Sequence, residues 1–178
     1  MEALGPYHPL IVHTPVALLI FSAAFAILGR LFDREWVRKA SVLMLVFGFL
    51  GAFFAVNSGQ AAHEVPERKQ GVPEHEIDEH ADLGRKALYL SGGALLVIGI
   101  AARVSGGAAN ALGLLALLLQ LGAAGSVAAA GLRGGELVFK YGANVKVAGQ
   151  LVQNPPAPAG DREADEKRAG KPEREEKR

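Results

Sequence analysis

The chain has 178 residues and a formal net charge of +1; 50% of its residues are hydrophobic, 7% are aromatic and none is cysteine. The absence of cysteine excludes disulfides, iron–sulfur clusters, covalently attached c-type haem and thiolate metal sites, and the lack of an isolated basic patch argues against nucleic acid as a partner. Charged residues are concentrated in short stretches that separate long uncharged ones. Because a charge in hydrocarbon is costly, this separation is typical of a membrane protein.

Four apolar stretches are long enough to cross a bilayer, which needs roughly 20 mostly apolar helical residues. These stretches are residues 10–31, 39–62, 83–104 and 108–132. None alternates with a period of two, so a transmembrane barrel is disfavoured. The connections after the first and third stretches are short, which predicts that spans one and two pair, and spans three and four pair. The predicted fold class is all-α, an integral membrane four-helix transmembrane bundle.

The first span is predicted to be retained in the protein. No Lys or Arg precedes it, and His13 and Pro15 interrupt its apolar run, so it does not read as a cleaved signal peptide. The connection after it carries four basic residues, Arg30, Arg34, Arg38 and Lys39, and the segment before it carries none. Because basic residues favour the cytoplasmic side, both termini are predicted outside, in the periplasm or its equivalent.

The composition changes at Asn154, which divides the chain into a four-span transmembrane domain of residues 1–153 and a tail of residues 154–178. Three prolines near the start of the tail cannot continue a helix. Residues 161–178 contain seven acidic and seven basic residues and no large apolar one. The tail cannot bury enough apolar surface to fold, so it is predicted to be disordered.

The histidines converge on one membrane surface in the predicted topology. They are His8, His13, His63, His75 and His80. Glu136 follows span four and reaches the same side. His13 lies about one turn inside the apolar stretch, so we expect it to face the bundle interior and to have a partner. A helix running on upstream of span three would place Glu76 and His80 on one face, whereas His8 and His75 are expected on solvated loops.

This arrangement leaves three functional hypotheses open. In the first, His13 and His80 are the axial ligands of a b-type haem. In the second, His13, His80 and Glu136 bind a divalent metal ion. In the third, there is no cofactor, and the protein is a structural or interaction subunit with an exposed small-residue face such as residues 122–129. The signatures of di-iron bundles, zinc proteases, phosphate-binding loops and nucleophile elbows are absent from the sequence.

Three motifs resemble a bacterial membrane-protein family known as domain of unknown function 2231. The opening motif is residues 8–19 (HPLIVHTPVALL), with Thr14 where the family usually has Phe. The middle motif is residues 58–62 (SGQAA) followed by residues 79–81 (EHA). The closing motif is residues 134–142 (GGELVFKYG), with Tyr141 where the family usually has His, so a histidine there is not an essential ligand in this chain.

The resemblance implies a four-span protein of the bacterial cytoplasmic (inner) membrane, and the family has no established activity. It marks the following motif positions: His8, Pro9, His13, Pro15, His80, Gly134, Gly135, Glu136 and Gly142. His63 is outside the pattern. The favoured prediction is a non-enzymatic, redox-associated subunit that exchanges electrons through haem b with a quinone or a periplasmic redox protein. The alternatives are a subunit of a homo-oligomer or larger membrane complex, and a metal-binding membrane protein.

Overall fold

A computed structural model describes residues 2–62 and 70–154 of the chain. Within these described residues, a 3₁₀ helix, Glu2–Tyr7, leads into five α-helices and two short strands. The helices are α1 (His8–Ile11), α2 (His13–Leu31), α3 (Glu35–Ala62), α4 (Glu74–Ala101) and α5 (Gly106–Tyr141), and the strands are β1 (Lys146–Val147) and β2 (Gln150–Leu151). The helices α2 to α5, with α1 leading into α2, are long and apolar enough to cross a membrane. The predicted all-α transmembrane fold is therefore confirmed.

Two of the spanning helices extend well beyond their predicted apolar cores. Helix α4 begins at Glu74 instead of residue 83, and α5 ends at Tyr141 instead of residue 132. Hydropathy falls at the first charged residues of each helix, but helical backbone hydrogen bonding continues past them. In α4, the acidic residues in the first turn also favour a helix N-terminus. At a rise of about 1.5 Å per residue, α5 is roughly 54 Å long, so its last turns project beyond a hydrocarbon core of about 30 Å.

The helices form two antiparallel hairpins, α2–α3 and α4–α5, as predicted from the short connections. The hairpins pack side by side, with α2 against α5 and α3 against α4. We call the end where α2 and α4 begin the histidine end, and the opposite end, with the connections at residues 32–34 and 102–105, the arginine end. A contact between His8 and His80 joins the hairpins at the first end, and a contact between Arg30 and Asn110 joins them at the second.

A buried polar cluster joins α2, α3 and α5 inside the bundle. Ser22 donates a hydrogen bond to Oε1 of Gln120 at 2.8 Å, and Ser41 donates to the same oxygen at 3.1 Å. The two serine hydroxyls also lie 3.0 and 2.8 Å from each other's carbonyl oxygens. All three side chains are buried. Since lipid supplies no hydrogen-bonding partners, this cluster favours the observed rotation of the three helices about their axes.

Replacing Gln120 with leucine is expected to destabilise the bundle by about 1 kcal/mol, the scale of an interhelical hydrogen bond in a membrane. The loss is small because each serine hydroxyl still has a carbonyl acceptor. Unfolding by sodium dodecyl sulfate in mixed micelles measures the change. Asn110→Leu, at an exposed position of the same helix, is the control and should leave stability unchanged. Equal losses in both variants would contradict the stabilising role of the cluster.

The chain after α5 folds back on the segment before α4 and closes the histidine end. Gln70 is fully buried, and its Nε2 donates to the carbonyl oxygens of Gly142 and Val152, both at 2.9 Å. Its Oε1 accepts from the amide of Asn144 at 2.7 Å. Gly142 ends α5 in the left-handed conformation (φ 63°), which turns the chain toward Gln70. The sequence does not predict that this segment closes the histidine end, because the hydrogen-bonding partners of Gln70 are mainly main-chain groups.

A small apolar core lies beneath this cap, formed by Val72, Ile77 and Leu137. Asn154, which the sequence places at the start of the tail, donates hydrogen bonds to the carbonyl oxygens of Gln70 and Tyr141. The ordered C-terminal segment therefore includes Asn154. The rest of the predicted tail, residues 155–178, and His63 lie outside the described residues.

Candidate functional site

Two imidazoles meet at the histidine end, one from each hairpin. His8 comes from α1, just before the first spanning helix, and His80 comes from the second turn of α4. Their ring centroids are 6.1 Å apart and their planes are nearly perpendicular, at 86°. Both rings are partly buried. The structure thus places a pair of histidines at the interface between the two halves of the bundle.

Hydrogen bonding around His8 assigns its tautomer. Nδ1 of His8 lies 2.9 Å from the hydroxyl oxygen of Ser58 on α3. Ser58 is fully buried, and its hydroxyl donates to the carbonyl oxygen of Ala55 at 3.0 Å. A hydroxyl has one hydrogen to donate, so a Ser58 that donates to Ala55 accepts from Nδ1–H of His8, whose ring also has a hydrogen bond with the Ala55 backbone. In a neutral imidazole the lone pair then lies on Nε2.

His80 has the same tautomer for a simpler reason. Its Nδ1 lies 2.8 Å from the main-chain carbonyl oxygen of Ala130 on α5. A carbonyl oxygen can only accept, so Nδ1 carries the hydrogen and the lone pair of the neutral ring is again on Nε2. Within residues 2–62 and 70–154, Nε2 of neither ring takes part in a hydrogen bond. The site therefore presents two anchored imidazoles whose second nitrogens are available.

A glycine lies against each ring. A Cβ added to Gly59 would lie 3.0 Å from Cε1 of His8, and a Cβ added to Gly134 would lie 3.0 Å from Cε1 of His80. Such separations are tighter than ordinary side-chain contacts, so any larger residue would displace the imidazole. This contact explains why Gly134 belongs to the closing motif.

The angular position of each histidine follows from the buried stripe of its helix. His8 precedes the buried Pro15 by seven residues, about two turns, and Pro15 precedes the buried Ser22 by seven more. His80 is related in the same way to the buried Ala87. His13 instead lies two residues from Pro15, a rotation of about 200°, and its side chain is exposed.

The predictions for His8 and His13 are therefore reversed by the structure. The expectation that His13 faces the bundle interior is wrong, and so is the expectation that His8 is solvated. His8, and not His13, lies against His80.

The metal triad predicted from the sequence is not assembled. Glu136 is exposed and pairs with Arg133 at 2.9 Å, and His13 faces away from the bundle. In the part of the chain that the structure describes, no group of three or more His, Asp or Glu side chains could hold a metal ion. Two imidazoles are thus the only ligand set that these described residues bring together here.

A family model described as "predicted membrane protein (DUF2231)" matches residues 5–147 of the chain. The chain belongs to DUF2231. The match includes both histidines of the pair and the residues that anchor them, and it confirms the resemblance carried by the three motifs. No curated protein and no solved structure matches the chain.

Beside the histidine pair, this DUF2231 chain has a charged network that joins the projecting ends of α4 and α5. Glu76 is its most buried carboxylate, with 14% of its side chain exposed. It accepts a hydrogen bond from the Tyr141 hydroxyl at 3.0 Å, and Lys140 lies 3.6 Å away. Arg133 pairs with Glu79 at 3.0 Å. The network supports the helix that carries His80, and Tyr141 takes part in it where the family usually has His.

The other DUF2231 motif residues have structural positions. Pro9 lies in the first turn of α1 and Pro15 in the first turn of α2, where a missing N–H costs little. Gly135 has open space where a side chain would lie, and Gly142 is the C-cap of α5. His75 lies in the first turn of α4, 3.8 Å from Glu76.

Sequence reasoning missed the two groups that anchor the imidazoles. Ser58 stands in the middle motif, directly before Gly59, so its position in the motif was an available signal. The seven-residue spacing of His8, Pro15 and Ser22 was another. No sequence pattern could indicate the carbonyl of Ala130, because every residue has a main-chain carbonyl.

Proposed function

We propose that this DUF2231 chain binds a b-type haem between His8 and His80 and carries single electrons at the histidine end of the bundle. The observation that supports this proposal is the anchoring of both rings through Nδ1, which leaves two Nε2 lone pairs available from opposite halves of the protein. Metal-ligating histidines usually donate their other ring N–H to a carbonyl or a similar acceptor, which orients the ring and raises its basicity as a ligand.

The centroids of the two rings are close enough that both rings could hold one metal ion, since metal–nitrogen bonds are about 2 Å long. The separation here is 6.1 Å, with nearly perpendicular planes. Gly59 and Gly134 let the backbones of α3 and α5 lie directly against the two rings.

The number of ligands favours haem over a bare divalent ion. A zinc site takes three or four protein ligands, whereas haem iron needs only axial ligands from the protein because the porphyrin supplies the rest. The described residues provide two imidazoles and no third His, Asp or Glu in reach. A divalent-metal site is therefore the weaker alternative.

A haem held here would supply one-electron transfer between a membrane quinol and a one-electron acceptor protein. His8 and His80 would hold its iron, while Ser58 and the Ala130 carbonyl hold their rings. In the orientation proposed from the basic first connection, the histidine end faces the periplasm of a bacterial inner membrane. The acceptor is then a periplasmic redox protein.

A reduced-minus-oxidised visible spectrum of the full chain, purified in mild detergent from haem-replete cells, tests this proposal. We expect a sharp haem band near one haem per chain in the wild type, and its loss in His8→Ala and in His80→Ala. His13→Ala is the matched control: it removes an exposed imidazole from the same end and should retain the haem.

Other outcomes would overturn the proposal. Equal haem content in all three variants would refute the axial assignment. A bound transition metal without porphyrin, found by metal analysis of the same sample, would favour the metal site. If the sample contained neither haem nor metal, the histidines would be structural groups.

A second candidate function is a non-catalytic subunit of a homo-oligomer or a larger membrane complex. It is supported by the outer face of α5, where Gly131 and Gly135, about one turn apart, each have open space at the Cβ position. Next to them, a groove of about 470 Å³ is bordered by Leu132 and Phe139, which are both strongly exposed. Small-residue faces of this kind favour close helix contact in membranes. A single protomer mass for the purified complex would argue against this candidate.

A further inference from the structure

Helix α5 has two stripes of residues that repeat every seven positions on opposite faces. The buried stripe packs inside the bundle, and its members include Ala116, Gln120, Ala123, Val127, Ala130 and Leu137. The second stripe stands two residues earlier along the helix, a rotation of about 200°, and its large side chains are all exposed. We call it the outer seam; its members are Leu114, Leu118, Leu121, Gly125, Ala128, Leu132, Gly135 and Phe139. Alternating steps of four and three residues are the a/d pattern of a coiled coil, and the seam continues for about three and a half heptads, long enough to pair two helices.

The last part of the outer seam projects beyond the bilayer. Counted from Ala108, where the apolar stretch of α5 begins, a hydrocarbon core of about 30 Å ends near residue 128. Phe139 lies about 16 Å further out, which is also beyond the headgroups, and it is next to the charged Lys140. Phe139 is 92% exposed and Leu132 is 75% exposed. Because lipid tails cannot cover Phe139 at this height, the apolar surface around it is typical of a contact with another protein.

We infer that the outer seam is the interface of a homodimer in which two α5 helices pack in parallel about a two-fold axis normal to the membrane. The inference rests on the second candidate function, to which it gives a specific partner, a second copy of this chain; it does not depend on haem binding. Two copies inserted in one membrane have the same topology, so their α5 helices run in the same direction. Parallel pairing is the arrangement that an a/d seam of this kind forms.

The outer seam contains both the knobs and the holes that such a dimer needs. In a parallel pair, Leu132 at an a position enters a hole formed by residues 128, 131, 132 and 135 of the second copy. Three of these four are alanine or glycine, so the hole is deep. Gly131, Leu132 and Gly135 line the groove of about 470 Å³ on this face, and both glycines have open space at the Cβ position. A surface with projecting side chains and matching recesses is complementary to itself, as a two-fold interface requires.

Charge does not oppose this pairing. The outer seam has no charged member, and at the e and g positions that flank it between residues 114 and 139 only Glu136 is charged. Glu136 is paired within its own chain with Arg133 at 2.9 Å. In a parallel coiled coil, an e position lies across from the g position five residues earlier in the second helix, which is Gly131 here. The two Glu136 carboxylates of a dimer therefore do not face each other.

Disulfide cross-linking of the full-length chain in native membranes tests the inference, because the chain has no cysteine of its own. Gly135→Cys places one thiol on the outer seam, where a side chain has open space, and keeps both Leu132 and Phe139. Residues at equivalent d positions of a parallel pair are close enough for a disulfide, so an added mild oxidant should produce a covalent dimer. Lys140→Cys is the matched control, exposed at the same height but directed about 140° away around the helix. It should give on the order of tenfold less dimer, because its two thiols are too far apart.

A second measurement uses the strength of the dimer without cysteines. Energy transfer between labelled copies, followed as the protein is diluted in lipid bilayers, gives the dissociation constant. Leu132→Ala removes a knob and should raise this constant on the order of tenfold or more, as the loss of a central interface side chain does. Leu96→Ala is the matched control: Leu96 is 71% exposed, against 75% for Leu132, but it lies on α4. It should leave the constant unchanged.

The other outcomes separate this inference from the function on which it rests. Equal amounts of dimer from the two cysteine variants would show random collision and would overturn the inference. A cross-link from Gly135→Cys to a different protein would overturn the second copy as the partner. An oligomeric mass without a cross-link at residue 135 would overturn the α5 interface alone and leave the second candidate function standing, whereas a single protomer mass would overturn both.

Discussion

Replacing Gly51 with valine is expected to force α2 away from α3 and to destabilise the bundle by about 3 kcal/mol, the upper part of the usual range for overpacking. A Cβ at Gly51 would lie 2.9 Å from Cγ2 of Thr14, 3.0 Å from Cδ of Pro15 and 3.2 Å from the Pro15 nitrogen. A proline ring and a backbone nitrogen cannot rotate out of the way, so the helices themselves must separate. Lipid does not compensate for this loss, because helix association in a bilayer depends on close packing.

Unfolding by sodium dodecyl sulfate in mixed micelles measures this change in free energy. Gly125→Val is the matched control, since Gly125 is in the middle of the spanning helix α5 but has nothing within 4 Å of a Cβ. It introduces the same β-branched side chain into a helix and should change stability by only a few tenths of a kcal/mol, in the favourable direction, because valine has a better helix propensity than glycine. Similar losses in the two variants would show that intrinsic helix propensity, and not packing against Pro15, explains the effect.

Replacing Gln70 with alanine is expected to release residues 142–154 from the histidine end while the spanning helices remain folded. The substitution removes partners from three main-chain groups, the carbonyls of Gly142 and Val152 and the amide of Asn144. These three bonds are only partly buried, so the loss of each costs about 1 kcal/mol, the net contribution of a typical hydrogen bond. The sum is on the order of 3 kcal/mol, enough to open this segment locally.

Hydrogen exchange at the amide of Asn144 reports this opening directly, because that amide donates to the Gln70 side chain. Its exchange should become at least a hundredfold faster in the variant, which corresponds to about 3 kcal/mol. Gln153→Ala is the control: Gln153 is exposed and its amide bonds only to nearby Leu151, at 3.5 Å. Unchanged exchange at Asn144 in the Gln70 variant would mean that other contacts hold the segment.

Much of the fold could be predicted because bilayer insertion depends on local composition. The four apolar stretches and their short connections identify the spans and the hairpins without tertiary information. The predicted ends of the helices were less accurate than the spans themselves. Helices α4 and α5 continue for about two further turns, because the charged residues that end a hydropathy window pair with each other across the helices, as Arg133 does with Glu79.

The structure has a histidine pair at the end of the bundle where the sequence gathers these residues, but the partner of His80 is His8 and not His13. Both His8 and His13 belong to the opening motif, and hydropathy alone favours the one deeper in the apolar run. The choice between them depends on rotation about the helix axis. The buried stripe through Pro15 and Ser22 includes the direction of His8 and excludes that of His13.

By itself, the sequence determined that this DUF2231 protein has four apolar helices capable of spanning a membrane and that His8, His13, His75 and His80 gather at one end, since both depend on where apolar and polar residues stand along the chain. Tertiary structure decided that His8 lies against His80, that Ser58 and the Ala130 carbonyl anchor the rings, and that Gln70 holds the C-terminal segment. These contacts depend on the rotation of each helix and on main-chain groups that every residue has. Residue identity therefore cannot specify them until the helices have packed.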